Sequence, residues 1–157
     1  MRCKVTANHD CAPCGDGSIK LYVKDDFKLI YSFTDHRYNP TLIIPPDHIE
    51  FEFKYTILGR PDTEFIASHL NGEYKNCFQN DSTNELVVLF DNHNLKAGQL
   101  VVEYHFLVHD EAFPEKVADR YNSELTGIVL TDNLLELELW HKEEIIHSIN
   151  AQEIQEH

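Results

Sequence analysis

The 157-residue chain is 42% hydrophobic, and it includes nine Phe and seven Tyr. That length predicts one domain with a core large enough to fold without disulfides. The formal net charge of −14 excludes a general nucleic-acid binder and disfavours docking on anionic lipid, because both need a basic surface.

Alternation of apolar and polar residues is the clearest pattern along the chain. In residues 49–57 every odd position is apolar and every even position is polar, which predicts a strand with one core face. Similar alternation predicts strands at residues 27–33, 100–108 and 135–139. Shorter apolar runs predict further strands at residues 19–23, 41–44, 65–69, 74–78, 86–90 and 127–130. Between them lie turn residues, of which Asn71-Gly72 is a strong hairpin turn.

About eight to ten short strands separated by turns predict an all-β fold. We expect an antiparallel β-sandwich, immunoglobulin-like or jelly-roll-like, over residues 18–140. Residues 1–17 then form an irregular leader that carries cysteines, and residues 141–157 form a tail. Isoleucines at 145, 146, 149 and 154 fit a short helix in that tail, although an extended tail fits nearly as well. Residues 115–122 fit one helical turn or a loop.

The leader contains the residues of a candidate metal site. Cys11 and Cys14 form a C-x-x-C pair, and Cys3 and His9 lie close by in the sequence. Three thiols and one imidazole can complete a tetrahedral structural zinc site. All four ligands fall within twelve residues, however, whereas half-sites usually flank a longer loop, so a surface leader with free thiols is the alternative. Thioredoxin-type redox chemistry is disfavoured, because the pair precedes the first strand instead of following one.

Catalytic motifs are absent from the sequence. His48-Ile49-Glu50 resembles half of a zinc deaminase motif, but the C-x-x-C lies upstream instead of downstream. His105 and His109 fall on one face of a predicted strand about 13 Å apart at ~3.3 Å per residue, too far for one metal ion. No serine nucleophile elbow and no glycine-rich phosphate loop occur. We therefore expect a protein that is not an enzyme.

The segment at residues 1–10 lacks the apolar core of a signal peptide, and no run approaches the roughly 18 apolar residues of a transmembrane helix. We therefore expect folding in a reducing cytoplasm. Thiols there stay reduced or bind metal more often than they form disulfides. Cys77 lies among aromatic residues, and we expect it in the core.

Several stretches together resemble a known group of virion proteins. They are residues 25–35, the Asn71-Gly72 and Asn76-Cys77 pairs, residues 86–104, residues 110–114 and residues 126–130. Over residues 19–139 the chain resembles small virion proteins of crAss-like Bacteroides phages, particularly head-fibre or fibre-attachment proteins. More distantly, it is similar to the N-terminal domain of phage baseplate upper proteins. The best-matching parts are the N-H-x-L-x-x-G-x-L turn at residues 92–100 and the segment around Phe113-Pro114 and Thr126-Gly127.

The resemblance implies a virion structural protein, a head-fibre or fibre-adaptor subunit that attaches to capsid, tail or fibre proteins. It also implies a homo-oligomer, with a trimer as the expected form, assembled in the host cytoplasm. We expect residues 1–16 and 141–157 to make the attachments. A carbohydrate-binding sandwich module is the alternative function, with Tyr22, Tyr38, Tyr121 and Trp140 as stacking platforms. A zinc-dependent enzyme is the third hypothesis.

Overall fold

The computed structural model describes residues 2–6, 12–13, 19–35 and 38–135. In this part of the chain the elements are twelve strands and one short 3-10 helix at Pro46–His48. The strands are β1 (Arg2–Thr6), β2 (Ala12–Pro13), β3 (Ile19–Tyr22), β4 (Phe27–Asp35), β5 (Leu42–Ile44), β6 (Glu50–Ile57), β7 (Arg60–Leu70), β8 (Glu73–Lys75), β9 (Cys77–Asn80), β10 (Glu85–Phe90), β11 (Gly98–His109) and β12 (Val117–Thr131).

The strands form two sheets. Sheet A has the order β2-β1-β4-β10-β9, with β5 paired to the end of β4, and sheet B has the order β3-β12-β11-β6-β7-β8. The all-β prediction is confirmed. The pairing is antiparallel except between β3 and β12, which run parallel, so sheet B is mixed and the expectation of wholly antiparallel pairing is wrong at this edge.

A single aromatic-rich core lies between the two sheets. Tyr31 of sheet A meets Phe53 of sheet B with ring centroids 5.4 Å apart, and Phe90 of sheet A stacks on Phe65 of sheet B at 4.6 Å. The sheets therefore pack face to face. Large aromatic side chains supply most of the buried apolar area in such a core.

Strand β6 shows how the sequence pattern produces this packing. Its odd-numbered residues Phe51, Phe53, Tyr55 and Ile57 are buried, and its even-numbered residues are exposed or half-buried. Successive side chains of a strand point to opposite faces, so the alternation in the sequence becomes one core face and one solvent face. The strand predicted at residues 49–57 is confirmed.

The turn between β10 and β11 is anchored in the core at both ends. Leu95 and Leu100 are buried and fix the two ends of the loop in the core. Gly98 has φ +140°, and a Cβ at this position would lie 2.4 Å from Ile57 Cγ2. Only glycine fits such a close approach without displacing its neighbour.

Two segments differ from the sequence prediction. Residues 115–122, expected as a helical turn or loop, mostly form the first half of β12. Residues 74–78, expected as one strand, divide into β8 of sheet B and β9 of sheet A. Asn76 lies between them at φ +57°, a left-handed conformation that ends one strand and redirects the chain.

The ends of the chain differ as well. We expected an irregular leader, but Arg2–Thr6 pairs with β4 and Ala12–Pro13 pairs with β1. Leu134 and Leu135 are not part of a strand, so the strand predicted at residues 135–139 does not begin at Leu135. The rest of that segment and the tail lie outside the described residues. The domain boundaries at residues 17 and 140 stay predictions.

Candidate interaction surface

Within the described part of the chain, the longest hairpin is β11–β12, and it leaves one strand edge open. Strand β12 pairs with β11 from Leu130 back to Val117, but on its other side β3 pairs only with Ile128–Thr131. Among the residues that the structure describes, no strand pairs with residues 117–125 on that side. We call this segment the β12 edge. Unpaired strand edges are ready templates for pairing with another chain.

Local side chains satisfy some main-chain groups of this edge. The Ser123 N–H donates to Asn122 Oδ1 at 2.9 Å, and the Asp119 carbonyl accepts from the Arg120 guanidinium at 3.0 Å. In an antiparallel ladder, alternate residues turn both main-chain groups to the same side. The N–H and C=O groups of the odd-numbered residues therefore face the open edge.

Exposed apolar side chains accompany the open main chain. Val117, Tyr121 and Leu125 are 41%, 64% and 50% exposed, and all three belong to the odd-numbered, outward face of β12. Their spacing of four places one apolar group at each end and one at the middle of the edge. Apolar side chains that are exposed along an unpaired strand edge indicate an interaction surface.

Tyr121 lies at the centre of this edge and stacks on its neighbour in β11. The Tyr121 and His105 rings are parallel, with centroids 4.3 Å apart and an interplanar angle of 9°. His105 Nε2 also lies 2.7 Å from Asp119 Oδ1, within hydrogen-bond distance. The imidazole is thus held between an aromatic ring and a carboxylate on the outer face of the sheet.

A shallow groove of about 350 Å³ runs beside these residues on the outer face of sheet B. Leu58, Val101 and Leu125 make one end apolar, and Lys54, Glu103 and Ser123 supply charged and polar groups. Val101 and Leu125 are direct cross-strand partners. The groove is therefore continuous with the β12 edge.

Behind the edge, a chain of hydrogen-bonded tyrosines crosses the core. The Tyr31 and Tyr55 hydroxyls are 2.6 Å apart, Tyr31 also bonds to Tyr104, and the Tyr104 hydroxyl donates to the Glu124 carboxylate. Burial is the main cause that raises the pKa values of Tyr31, Tyr55 and Tyr104. The three phenols therefore stay neutral near neutral pH. This chain joins both sheets to the strand that carries the open edge.

The loop at the end of the hairpin is closed by its own hydrogen bonds. The Asp110 N–H donates to the Lys116 carbonyl, and the Lys116 N–H donates to the Phe113 carbonyl. Phe113 nevertheless stays 42% exposed. The ring is therefore available for contact with another molecule.

The opposite side of the protein is closed. Strand β8 of sheet B lies next to β9 of sheet A, and the His69 ring stacks on Tyr74 with centroids 4.3 Å apart. The Tyr74 hydroxyl donates to the Asp47 carboxylate, and the Asp47 N–H donates to Gln79 Oε1 at 2.9 Å. These bonds connect the 3-10 helix to both sheets. The polar contacts around Asp47 therefore have a structural role.

The predicted zinc ligands fall largely outside the described residues. Cys3 occupies a position in β1 opposite Tyr31, whereas His9, Cys11 and Cys14 lie outside the described part. Within the described part, no group of three or more His, Cys, Asp or Glu residues is placed to hold a metal ion. The zinc site in the leader stays a prediction. Cys77 is buried, as expected, and burial raises the pKa of its thiol to about 11.

The histidines singled out in the sequence contact separate partners. His105 bonds to Asp119, while His109 Nε2 lies 2.9 Å from Glu111 Oε1 in the hairpin loop. His48 ends the 3-10 helix, and the Glu50 carboxylate accepts from the Asn71 N–H at 3.3 Å. Each of these residues has a local contact of its own, and the structure does not bring the histidines together into one site.

The tyrosines considered as glycan platforms do not form one row. Tyr121 lies on the β12 edge, Tyr22 opposes Thr131 at the other end of β12, and Tyr38 lies between β4 and β5. Ten residues of strand separate Tyr121 from Thr131, which is roughly 33 Å at ~3.3 Å per residue. Trp140 lies outside the described residues.

The β12 edge is not recognisable as a site from the sequence pattern alone. Val117, Tyr121 and Leu125 are separated by charged and polar residues on both faces, which weakens the alternation that marks a strand. The available signal was the four-residue spacing between the apolar residues Val117, Tyr121 and Leu125.

Two comparisons with known proteins returned no relative. No protein-family model matches the chain, and no curated protein matches it. Among the described residues, no helix has the length and apolar character needed to cross a membrane. The candidate surface therefore has to be interpreted from its own geometry.

Proposed function

We propose that this protein is a structural subunit of a phage virion, a head-fibre or fibre-adaptor protein that attaches to capsid or tail and catalyses no reaction. The observation that carries the proposal is the open β12 edge, where unpaired main chain and exposed apolar side chains coincide. Edges of this kind favour assembly, because pairing satisfies main-chain groups and removes apolar area from water together.

The fold and the resemblance support the same role. Two sheets around one aromatic core are compatible with a jelly-roll-like or immunoglobulin-like sandwich, the finer fold that we propose. The resemblance to crAss-like virion proteins includes the N-H-x-L-x-x-G-x-L turn. This turn has a structural role, because Leu95 anchors it in the core and Gly98 packs against Ile57. We propose that residues 1–16 and 141–157 make the attachment to the neighbouring virion protein.

Purified particles provide the test. Phage particles from the source of the sequence are banded by density and analysed by quantitative mass spectrometry, together with immunogold labelling against this chain. We expect a fixed number of copies per particle and label at one place on the virion. A chain that stays entirely in the soluble fraction, while the major capsid protein bands, would remove the virion role.

A second candidate, a carbohydrate-binding module, is favoured by Tyr121 and the adjoining groove. An exposed aromatic ring beside carboxylate and hydroxyl groups is a common arrangement for polar ligands with an apolar face. Here the ring is that of exposed Tyr121, two residues along β12 from Ser123, which lines the groove together with Glu103.

Glycan-array binding followed by calorimetry tests this candidate. A glycan that binds wild type and loses at least tenfold in affinity with Tyr121→Ala, but not with Tyr38→Ala, would support it. Tyr38 is a matched control because it is also exposed but lies away from the groove. Equal loss in both variants, or no binding to the array, would count against the module.

A further inference from the structure

We propose that two copies of this chain pair through the β12 edge, antiparallel about a twofold axis at Tyr121, which deepens the assembly role proposed above and rests on it. Sheet B then continues from one copy into the next. The partner that the edge fits is a second copy of the same chain, because the exposed apolar side chains Val117, Tyr121 and Leu125 are spaced symmetrically about Tyr121.

The symmetry is visible in the register. Antiparallel pairing centred on Tyr121 places Val117 of each copy opposite Leu125 of the other copy and Tyr121 opposite its own counterpart. All three exposed apolar side chains of the edge are then covered by apolar partners. Directly opposed residues of an antiparallel pair lie on the same face, so these contacts form on the outer face of the joined sheet.

The polar residues fit the same register. Asp119 faces Ser123 of the second copy, which pairs a carboxylate with a hydroxyl donor. Two other symmetric registers fit worse. Centring the pair on Arg120 places Asp119 opposite Tyr121, and centring it on Asp119 opposes two carboxylates, which is unfavourable across a strand pair.

The main chain also matches. The odd-numbered residues turn their N–H and C=O groups to the open edge, where the Asp119 carbonyl and the Ser123 N–H are bonded to the side chains of Arg120 and Asn122. In the Tyr121-centred register, odd residues face odd residues, and five such pairs make about ten main-chain hydrogen bonds at two per pair. Pairing ends near Leu125, because β3 occupies the same side of β12 from Ile128 onward.

On the inner face, Arg120 of one copy is opposite Asn122 of the other and diagonal to both Glu124 and Arg120 of that copy, so attraction and repulsion offset each other there. On the outer face, Val117 of the second copy adds to the apolar end of the groove formed by Leu58, Val101 and Leu125. The groove and the edge thus become one continuous interface.

A twofold contact of this kind closes at two copies, since each surface binds an identical surface. It is therefore distinct from the trimer that the resemblance implies. A threefold contact elsewhere on the chain would have to coexist with it.

A symmetric disulfide tests the register in the full-length chain. Cys3, Cys11 and Cys14 are replaced by Ser, and Tyr121→Cys is introduced, which places Cα atoms about 5.5 Å apart across the axis, within disulfide range. Ser123→Cys in the same background is the matched control, because it faces Asp119 and not itself. Sedimentation of the wild-type chain gives the mass, and circular dichroism verifies that each variant is folded.

We expect a wild-type species of twice the 18.3 kDa chain mass and cross-linked dimer from Tyr121→Cys at least tenfold faster than from Ser123→Cys. A monomer at all concentrations, a trimer without dimers, or equal cross-linking of both variants would overturn the pairing. Incorporation into virions is measured separately. A monomer that is found in particles would contradict only the pairing, and a dimer that is absent from particles would contradict only the virion role.

Discussion

The hydroxyl oxygens of Tyr31 and Tyr55 lie 2.6 Å apart in the core and connect strand β4 of sheet A to strand β6 of sheet B. Tyr31 bonds to Tyr104 as well, and Tyr104 continues the chain to Glu124 on β12. A buried polar chain of this length is stable only if each hydroxyl has a partner, because an unpaired buried group costs free energy. The same bonds fix how the two sheets sit against each other.

The first prediction concerns the central hydroxyl of this chain. Tyr31→Phe leaves the Tyr55 and Tyr104 hydroxyls without their shared partner, and we expect the free energy of unfolding to fall by about 1–3 kcal/mol. Chemical denaturation measures the change. Tyr121→Phe is the control, since its ring is exposed, and it should change the free energy of unfolding by about 0.5 kcal/mol or less. Equal stability of Tyr31→Phe and wild type would mean that the chain carries no net stabilisation.

The second prediction concerns alkaline pH. Burial raises the pKa values of Tyr31, Tyr55 and Tyr104 in the folded state, whereas unfolded tyrosines ionise near pH 10. Above that pH the folded state binds more protons, so the free energy of unfolding falls as pH rises. Each buried tyrosine contributes a slope of about 1.4 kcal/mol per pH unit.

Absorbance at 295 nm combined with denaturation measures this effect. Of the seven tyrosines, Tyr31, Tyr55 and Tyr104 should ionise only together with loss of structure, because burial raises their pKa values. Tyr31→Phe removes one buried phenol and should make the loss of stability with pH shallower. Titration of all seven in a single step near pH 10, with the fold intact, would contradict the prediction.

The sequence predicted the parts of the fold whose side chains alternate strictly. Residues 49–57 became β6 because Phe51, Phe53 and Tyr55 face the core, and Asn71-Gly72 became a hairpin turn with φ values of +54° and +78°. Strand β12 was missed in its first half because Arg120, Asn122 and Glu124 on its inner face are exposed, and these polar residues stand where a buried strand would carry apolar ones. The open edge depends on which strands pair, and pairing between distant strands is not encoded in local periodicity.

The third prediction concerns the close approach at Gly98. Gly98→Ala introduces a Cβ 2.4 Å from Ile57 Cγ2 at φ +140°, and we expect a loss of about 2–4 kcal/mol from steric overlap and backbone strain. Gly72→Ala is the matched control, because Gly72 also has positive φ, +78°, but has nothing within 4 Å of the added Cβ. It should lose about 1–2 kcal/mol from backbone strain alone.

A double-mutant cycle separates the two causes at Gly98. In an Ile57→Ala background the overlap is gone, so the cost of Gly98→Ala should fall to about that of Gly72→Ala. Urea denaturation of the four variants measures the coupling between the two positions. Additive costs would show that the overlap with Ile57 is not what restricts this turn to glycine.

The fourth prediction uses charge to test the register of the β12 edge. Each copy carries a net charge of −14, so two copies repel, and raising the salt concentration should tighten the dimer by screening. Val117→Lys with Leu125→Glu keeps the net charge at −14 + 1 − 1 = −14 and places Lys opposite Glu twice across the axis. Val117→Lys with Leu125→Lys changes the net charge to −14 + 2 = −12 but places Lys opposite Lys.

The two variants distinguish local pairing from overall repulsion. If overall charge governs association, the less negative Lys/Lys variant should dimerise more tightly; if the Tyr121-centred register governs it, the Lys/Glu variant should be at least tenfold tighter. Residues 117 and 125 lie about 26 Å apart along one strand at ~3.3 Å per residue, so neither pair can form within one copy. Sedimentation equilibrium at low and high salt measures both affinities, and a tighter Lys/Lys dimer at low salt would exclude this register, because only overall charge would then explain the order.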